Sequence, residues 1–217
     1  MMSYIPQTNP VAGQLIRPAT APLPRRVNQD LEIPRQDTGL TPVAAVAPHP
    51  GHPDELAQRE ELIRRLGLPT STDADFDAFA RDLAERTGLL YGFVNFFLRE
   101  QTFVGLHQPP ADSGYPIVGR TMSRDHGYCP EVMERELALP LPDVHASPRF
   151  SSNHVVDAIG IRAYFGVPLI HKSGIKLGTV CGIDPEPRSD RDARRIRDAV
   201  IAIGRDVMHH ADEKTPR

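Results

Sequence analysis

Apolar residues recur every three or four positions in three segments of the chain, which is the spacing of an amphipathic helix. The first segment covers residues 54–66. The second covers residues 73–87, where Thr72 suits the N-cap and Gly88 the left-handed C-cap. The third runs from residue 189 to about residue 210. The pattern therefore predicts two short helices early in the chain and one long helix near its end.

Between these helices the apolar positions form short runs that are typical of β-strands. Residues 89–98 are apolar at both parities, which indicates a central strand covered on both faces, and residues 102–106 pair with it in a hairpin. Residues 139–144 contain prolines and therefore belong near a sheet edge. A second hairpin is predicted for residues 162–170 and 176–183, on either side of a glycine-containing turn.

The composition divides the chain into two parts. Ten of its 22 prolines fall within residues 1–53, and the only aromatic residue of that stretch is Tyr4. So little apolar surface does not offset the entropy of ordering the segment, which predicts a disordered, Pro-rich leader. Residues 54–217 are enough for one domain with a sizeable core.

Charge and cysteine content exclude several classes of function. A formal net charge of -3 gives no broad cationic field for nucleic acid or for an anionic membrane surface. No apolar run has the length of a membrane helix, and no secretory signal opens the chain, so a cytoplasmic location is expected. Two cysteines and nine scattered histidines show no metal-site spacing. The residues identify no cofactor.

The sharpest chemical candidate is Cys129, within the glycine- and proline-flanked segment 126–130. His126 lies three residues earlier, and an imidazolium there would lower the pKa of the thiol and favour the reactive thiolate. The alternative is that Cys129 is a small buried apolar residue in a helical turn within residues 123–138. Cys181 lies in the middle of a predicted strand and is expected in the core.

Two stretches carry a resemblance to a known family. The motifs are residues 141–150 (LPDVHASPRF) and residues 161–188 (IRAYFGVPLIHKSGIKLGTVCGIDPEPR), which resemble segments of the GAF domain. The resemblance covers about residues 73–210. The resemblance implies an α+β, PAS-related fold with a mixed or antiparallel central sheet. Helices would cover one face, and loops and short helices would form a ligand pocket on the other.

The implied function is that of a small-molecule-binding sensory or regulatory protein acting through a separate signalling partner or its own dimer. The ligand stays unidentified. The implied pocket lies within residues 115–150, and its polar residues either contact a ligand or have only structural roles. In the structural alternative, Asp143 caps the following turn, His145 is solvated, and Arg149 pairs with a nearby acid. The candidate ligand-binding residues are Tyr115, Asp125, His126, Tyr128, Cys129, Asp143, His145 and Arg149.

An enzyme is the alternative implied by the same family. HGYCPE and PDVHASP resemble stretches of free methionine sulfoxide reductase, which needs a nucleophilic cysteine and a further thiol. Cys129 would be catalytic, assisted by His126, yet residues 151–154 hold no cysteine where that group places its second one. Cys181 could replace it only if the two Cα atoms lie within about 7 Å of each other. A pure interaction module with a filled pocket is the second alternative.

The last predicted helix carries apolar residues at alternating steps of three and four. In GAF proteins this helix commonly forms part of a dimer, so a homodimer is expected, although the same stripe could face the sheet. The candidate dimer residues are Ile196, Val200, Ile203 and Val207.

Overall fold

The structure is a computed structural model that describes residues 53–151, 153 and 159–214. The Pro-rich leader predicted for residues 1–53 lies outside the described residues except for Pro53, which begins the first helix. The helices are α1 (Pro53–Arg65), α2 (Ala74–Thr87), α3 (Cys129–Met133), α4 (Pro148–Ser151) and α5 (Asp190–Glu213), with a 3₁₀ turn at Val144–Ala146. The strands are β1 (Tyr91–Phe97), β2 (Gln101–His107), β3 (Thr121–Met122), β4 (Leu139–Leu141), β5 (Ala163–Ile170) and β6 (Lys176–Asp184).

The six strands form one sheet in the order β3-β2-β1-β6-β5-β4, and every neighbouring pair is antiparallel. The α+β prediction is therefore confirmed. β1 lies inside the sheet, as its continuous apolar run indicated, and the proline-containing β4 lies at an edge. The two-residue strand β3 at the opposite edge was not predicted, because two residues give no readable periodicity.

Alternate residues of each strand face two separate cores. Val94 of β1 and Val180 of β6 belong to the core beneath α1, α2 and α5. Phe93 of β1 and Cys181 of β6 belong to a second core on the opposite face, which α3 and the segment around β4 cover. The second core separates the sheet from the loops and short helices where a pocket was predicted.

The stripe predicted to join two chains faces the domain's own sheet. Ile196, Val200, Ile203 and Val207 are at most 1% exposed and lie in the core with β5 and β6. A second chain could reach these side chains only by opening the domain, so the assignment of these four residues to a dimer seam is corrected. The physical reason is that a single helical stripe has the same sequence pattern whether it packs on a sheet or on another helix.

Of two local predictions at the ends of α2, one changes and one holds. Asp73, not Thr72, caps α2, because its carboxylate accepts hydrogen bonds from the backbone N–H groups of Asp75 and Phe76. Gly88 takes the left-handed C-cap conformation that was predicted, with φ 71°. Among the described residues, no helix has both the length and the apolar character needed to cross a bilayer.

Candidate functional site

The centre of the second core is polar. Asn95 of β1 and Thr179 of β6 are opposite each other in the antiparallel ladder, and both are fully buried. Cys181 follows two residues after Thr179 and therefore points to the same face of the sheet. Neither Asn95 Oδ1 nor Thr179 Oγ1 has a hydrogen-bond partner among the described residues. Buried polar atoms of this kind are costly, so their presence indicates a role beyond packing.

Cys129 covers this polar centre on the side away from the sheet. It is the first residue of α3, and its Sγ atom lies 3.6 Å from Sγ of Cys181 and 3.5 Å from the hydroxyl oxygen of Tyr164. Cys129 is 4% exposed and Cys181 3% exposed. The fold thus brings together both cysteines of the chain, which are 52 residues apart in sequence.

The position of Tyr164 depends on a glycine two residues further along β5. Gly166 lies beneath the Tyr164 ring, and a Cβ atom at this position would come within 2.8 Å of the ring carbon Cζ. Because Gly166 has no side chain, the ring can lie along the sheet surface and bring its hydroxyl to Cys129. The ring of Tyr128, which precedes Cys129, packs on Tyr164 with centroids 5.1 Å apart.

The surroundings make the two thiols unequal. The hydrogen bond from Cys181 lowers the pKa of Cys129 most, burial opposes it, and the nearby polar side chains of Thr179, Tyr164 and Asn95 lower it further, so that the pKa is about 7. The same hydrogen bond, together with burial, raises the pKa of Cys181 well above its ordinary value. These surroundings favour the thiolate, which is the reactive form, at Cys129 over Cys181.

A hydrogen-bond chain leads from the polar centre to the loop before α3. Asn95 Nδ2 donates to Gln101 Oε1 at 2.9 Å. Gln101 Nε2 in turn donates to the carbonyl oxygens of Ser123 and His126, at 2.7 and 2.8 Å. This chain fixes the loop that positions Cys129.

A cleft of about 270 Å³ opens beside Cys129, between α3 and α4. Its lining residues are Gly127, Tyr128, Pro130, Glu131, Arg149, Phe150 and Asn153. Tyr128 and Phe150 meet edge to face with centroids 5.9 Å apart, and the Tyr128 hydroxyl donates to the Phe150 carbonyl oxygen at 2.6 Å. The cleft thus combines two aromatic rings with charged side chains at its rim.

The charges at the rim are not balanced. One oxygen of Glu131, Oε1, accepts hydrogen bonds from Arg135 at 2.6 Å and from Arg149 at 2.7 Å. Burial raises the pKa of Glu131, but the hydrogen bonds and charges of the two arginines outweigh it and hold the pKa below its ordinary value. Among the described residues of the rim, two guanidinium groups and one carboxylate leave one positive charge. The Arg149 side chain is 66% exposed, which leaves it free to take a further anionic partner.

The structure places two of the sequence-predicted ligand residues, Tyr128 and Arg149, on the wall of this cleft. Cys129 lies between two lining residues, with its sulfur in the core. The other five lie elsewhere, in arrangements that their local sequence explains. Asp143 caps the 3₁₀ turn through the N–H group of His145, pairs with Arg162 at 2.9 Å, and leaves His145 exposed.

The remaining three candidates belong to the loops around β3. Asp125 accepts a hydrogen bond from the Ser123 hydroxyl and lies 3.9 Å from the ring of His126. His126 contributes its carbonyl oxygen to the chain from Gln101, whereas its ring is not among the largest influences on the Cys129 pKa. Tyr115 lies near Tyr91, whose hydroxyl donates to the neighbouring Pro116 carbonyl oxygen.

Sequence reasoning missed the residues that surround the thiols. Asn95 and Thr179 are single polar residues within otherwise apolar strands, and that interruption is the signal that could have found them. Tyr164 carried no such signal, because an aromatic residue is ordinary in a buried strand. Glu131 and Phe150 could be grouped only once the chain fold was known.

A family model described as GAF domain matches residues 71–204. Among solved structures, the chain is similar to free methionine-R-sulfoxide reductase from Neisseria meningitidis in complex with its substrate, at 15% identity over 73% of this chain and 89% of that chain, with a TM-score of 0.48. It is also similar to the GAF domain of a phosphoenolpyruvate-protein phosphotransferase from Coxiella burnetii, at 13% identity over 73% and 95% of the two chains, with a TM-score of 0.47. The blue-light absorbing form of the Thermosynechococcus elongatus PixJ GAF domain gives 15% identity over 76% and 94%, with a TM-score of 0.47.

No curated protein matches the chain. The range that the family model matches, residues 71–204, exceeds half of the 217 residues and contains the sheet, both thiols and the cleft. The resemblance found in the sequence is therefore confirmed, and the chain belongs to the GAF domain family.

Proposed function

We propose that this GAF domain is a sensory or regulatory module that binds a small anionic molecule with an apolar part in the cleft between α3 and α4. The observation that carries the proposal is the shared carboxylate of Glu131, which leaves one of two arginines without a full counter-charge. A carboxylate or phosphate group is the natural partner of such an arginine, because the planar guanidinium can donate two hydrogen bonds to it.

The aromatic side of the cleft supports the second part of the ligand description. Phe150 lies under the Arg149 guanidinium, 5.4 Å from it, and next to the Tyr128 ring. An apolar group of the ligand would pack on these rings while its anionic group pairs with Arg149. Pockets for small molecules commonly combine apolar walls with a few charged groups in this way.

The role is regulatory, with no catalytic step assigned to the cleft. Ligand binding would act through a separate signalling protein, or through a homodimer formed by surfaces other than the buried stripe of α5. A cytoplasmic location fits this role. Sedimentation equilibrium at micromolar concentration tests the dimer, and a mass near 24.0 kDa would argue for the separate partner.

The binding proposal is tested with benzoate and inorganic phosphate as probes, under reducing conditions, and with neutral benzamide as the control compound. Benzoate is expected to raise the melting temperature of the full chain, whereas benzamide is not. Arg149→Gln should weaken benzoate binding about tenfold or more, the size of a lost hydrogen bond to a charged group. The matched control is Arg64→Gln, since Arg64 is an exposed arginine paired with Glu61 at 2.6 Å on the remote helix α1.

Equal affinity of the Arg149→Gln and Arg64→Gln variants would refute the proposal, as would binding of benzamide as tight as that of benzoate. Native mass spectrometry of the chain purified from its source would weigh any retained molecule and give the ligand's mass. Cys129→Ser should leave the benzoate response unchanged under reducing conditions, because the thiol points away from the cleft into the core.

A further inference from the structure

Both cysteines of this chain meet at one buried point, although nothing in their sequence positions requires it. Cys129 belongs to a short helix above the sheet and Cys181 to the central strand β6, yet their sulfur atoms are in contact at 3.6 Å. A disulfide bond needs the sulfurs at about 2.05 Å, so the pair has to approach by about 1.5 Å. That distance is within the reach of a small shift of one element.

The groups around the sulfurs suit a thiolate better than an apolar contact. The Tyr164 hydroxyl lies 3.5 Å from Cys129 Sγ, and the Thr179 hydroxyl is buried with no hydrogen-bond partner among the described residues. A thiolate at Cys129 could accept hydrogen bonds from Tyr164 and Thr179, which would satisfy groups that a neutral, purely structural cysteine leaves costly. These residues point to chemistry at the sulfur.

We propose that Cys129 and Cys181 are a redox-active pair which hydroperoxides oxidise to an intramolecular disulfide, so that this GAF domain also responds to oxidants. The inference goes beyond the proposed ligand function and does not depend on it, since the pair lies behind the cleft wall and involves none of the charged lining residues.

The reaction has two steps. The Cys129 thiolate attacks one oxygen of a hydroperoxide and breaks the O–O bond; the other oxygen leaves as hydroxide or alkoxide and takes up a proton, and Cys129 becomes a sulfenic acid. The Cys181 sulfur then attacks the sulfenic sulfur. The S–S bond forms, the S–O bond breaks, and the hydroxyl group leaves as water with the proton of Cys181. In total the two thiols lose two electrons and two protons, and the hydroperoxide is reduced to water and an alcohol, or to two waters.

The fold assigns the movement to α3. β6 is hydrogen-bonded to β1 on one side and to β5 on the other, so Cys181 is held rigidly. α3 has five residues, and its N-cap Tyr128 makes no side-chain capping hydrogen bond. Because α3 is the shorter and less connected of the two elements, we assign the approach of the sulfurs to a shift of α3 toward the sheet, which carries Tyr128 and Pro130 of the cleft wall with it. Oxidation is expected to reshape the cleft.

The test uses the full chain, reduced with dithiothreitol, freed of it, and treated with hydrogen peroxide. Intact mass spectrometry should show a monomer that has lost two hydrogen atoms without gaining oxygen, and thiol titration in denaturant should show that both thiols disappear together. Dithiothreitol should restore the original mass. A wild-type chain that gains oxygen atoms, forms a covalent dimer, or keeps both thiols under conditions that oxidise free glutathione would overturn the proposal.

Variants separate the roles of the two sulfurs. Cys181→Ala should let Cys129 gain oxygen, because its resolving partner is missing, and Cys129→Ser should leave Cys181 largely reduced. The rate of disulfide formation in the wild type should rise with pH around a midpoint near 7, the pKa of Cys129, and Tyr164→Phe should move that midpoint upward. A midpoint in the ordinary range of cysteine, about 8.5, would contradict the assigned nucleophile. The benzoate-binding test is made under reducing conditions, in which no disulfide forms. Its outcome is therefore independent of the redox proposal, and failure of one proposal can be distinguished from failure of the other.

Discussion

Replacing Gly166 with alanine perturbs the site through a single methyl group. A Cβ atom at this position would lie 2.8 Å from Cζ and 2.9 Å from Cε1 of the Tyr164 ring, and closer still to its hydroxyl oxygen. Carbon atoms are in favourable contact only from about 3.5 Å, so the ring has to retreat by about 0.7 Å or more. Tyr164 is 2% exposed and is enclosed by Tyr128 and Cys129, which leaves it no open space.

Overpacking of this kind costs about 1–3 kcal/mol of unfolding free energy. The same displacement removes the Tyr164 hydroxyl from Cys129, so the pKa of the thiol should rise from about 7. Gly166→Ala is therefore expected to lower stability and to slow alkylation of Cys129 at neutral pH.

Equilibrium unfolding in urea with dithiothreitol measures the first effect, and the pH dependence of the iodoacetamide reaction measures the second. Gly119→Ala is the matched control, because a Cβ atom at Gly119 meets nothing within 4 Å and should change neither. A Gly166→Ala variant with the stability of Gly119→Ala and an unchanged thiol pKa would refute the reasoning. Tyr164→Phe added to Gly166→Ala should recover part of the lost stability, because it removes the most crowded atom.

Three further predictions concern the frame of the site. Asp77→Asn should lower stability by about 1–3 kcal/mol at neutral pH, since Asp77 pairs with Arg120 at 2.7 Å and accepts the Leu106 N–H group. Burial raises the pKa of Asp77, but its hydrogen-bond partners outweigh burial, so the pKa is lower in the folded than in the unfolded state. The stabilisation is therefore present above about pH 4 and is lost as the pH falls through the folded pKa. Urea unfolding at several pH values measures this dependence. Asp73→Ala should cost about 1 kcal/mol through loss of the α2 N-cap, measured by thermal unfolding. Gly178→Ala should cost about 3 kcal/mol or more and reduce soluble yield, because its Cβ atom would lie 2.8 Å from the Asn95 carbonyl carbon in the backbone of β1.

Each of these predictions has a definite contrary result. Asp82→Asn, which removes an exposed partner of Arg86, is the control for Asp77→Asn, and equal effects of the two would contradict the stabilising role of the partly buried Asp77–Arg120 pair. A capping role for Asp73 would be excluded if Asp73→Ala melted like the wild type. A soluble Gly178→Ala chain of wild-type stability would show that β1 and β6 can separate at this point without loss.

The local sequence determined most of the fold. The largely apolar run of residues 91–97 required cover on both faces, and Pro140 in β4 lacks a donor that a central strand needs, so both strands lie where their composition placed them. Gly88 ended α2 because glycine adopts the left-handed C-cap conformation at the lowest steric cost. These features depend on periodicity and backbone chemistry within a few residues, which a sequence displays directly.

Only the tertiary structure determined which chemical groups lie next to each other and which face each apolar stripe covers. The stripe of α5 could have faced a second chain, but its residues are buried on the sheet because the domain has a face to cover. Cys181 was expected to be a core residue and is one, yet only the register of β6 and the position of α3 bring it to Cys129. Contacts between residues 52 positions apart depend on how strands and helices meet in space, and no local pattern in the chain records that.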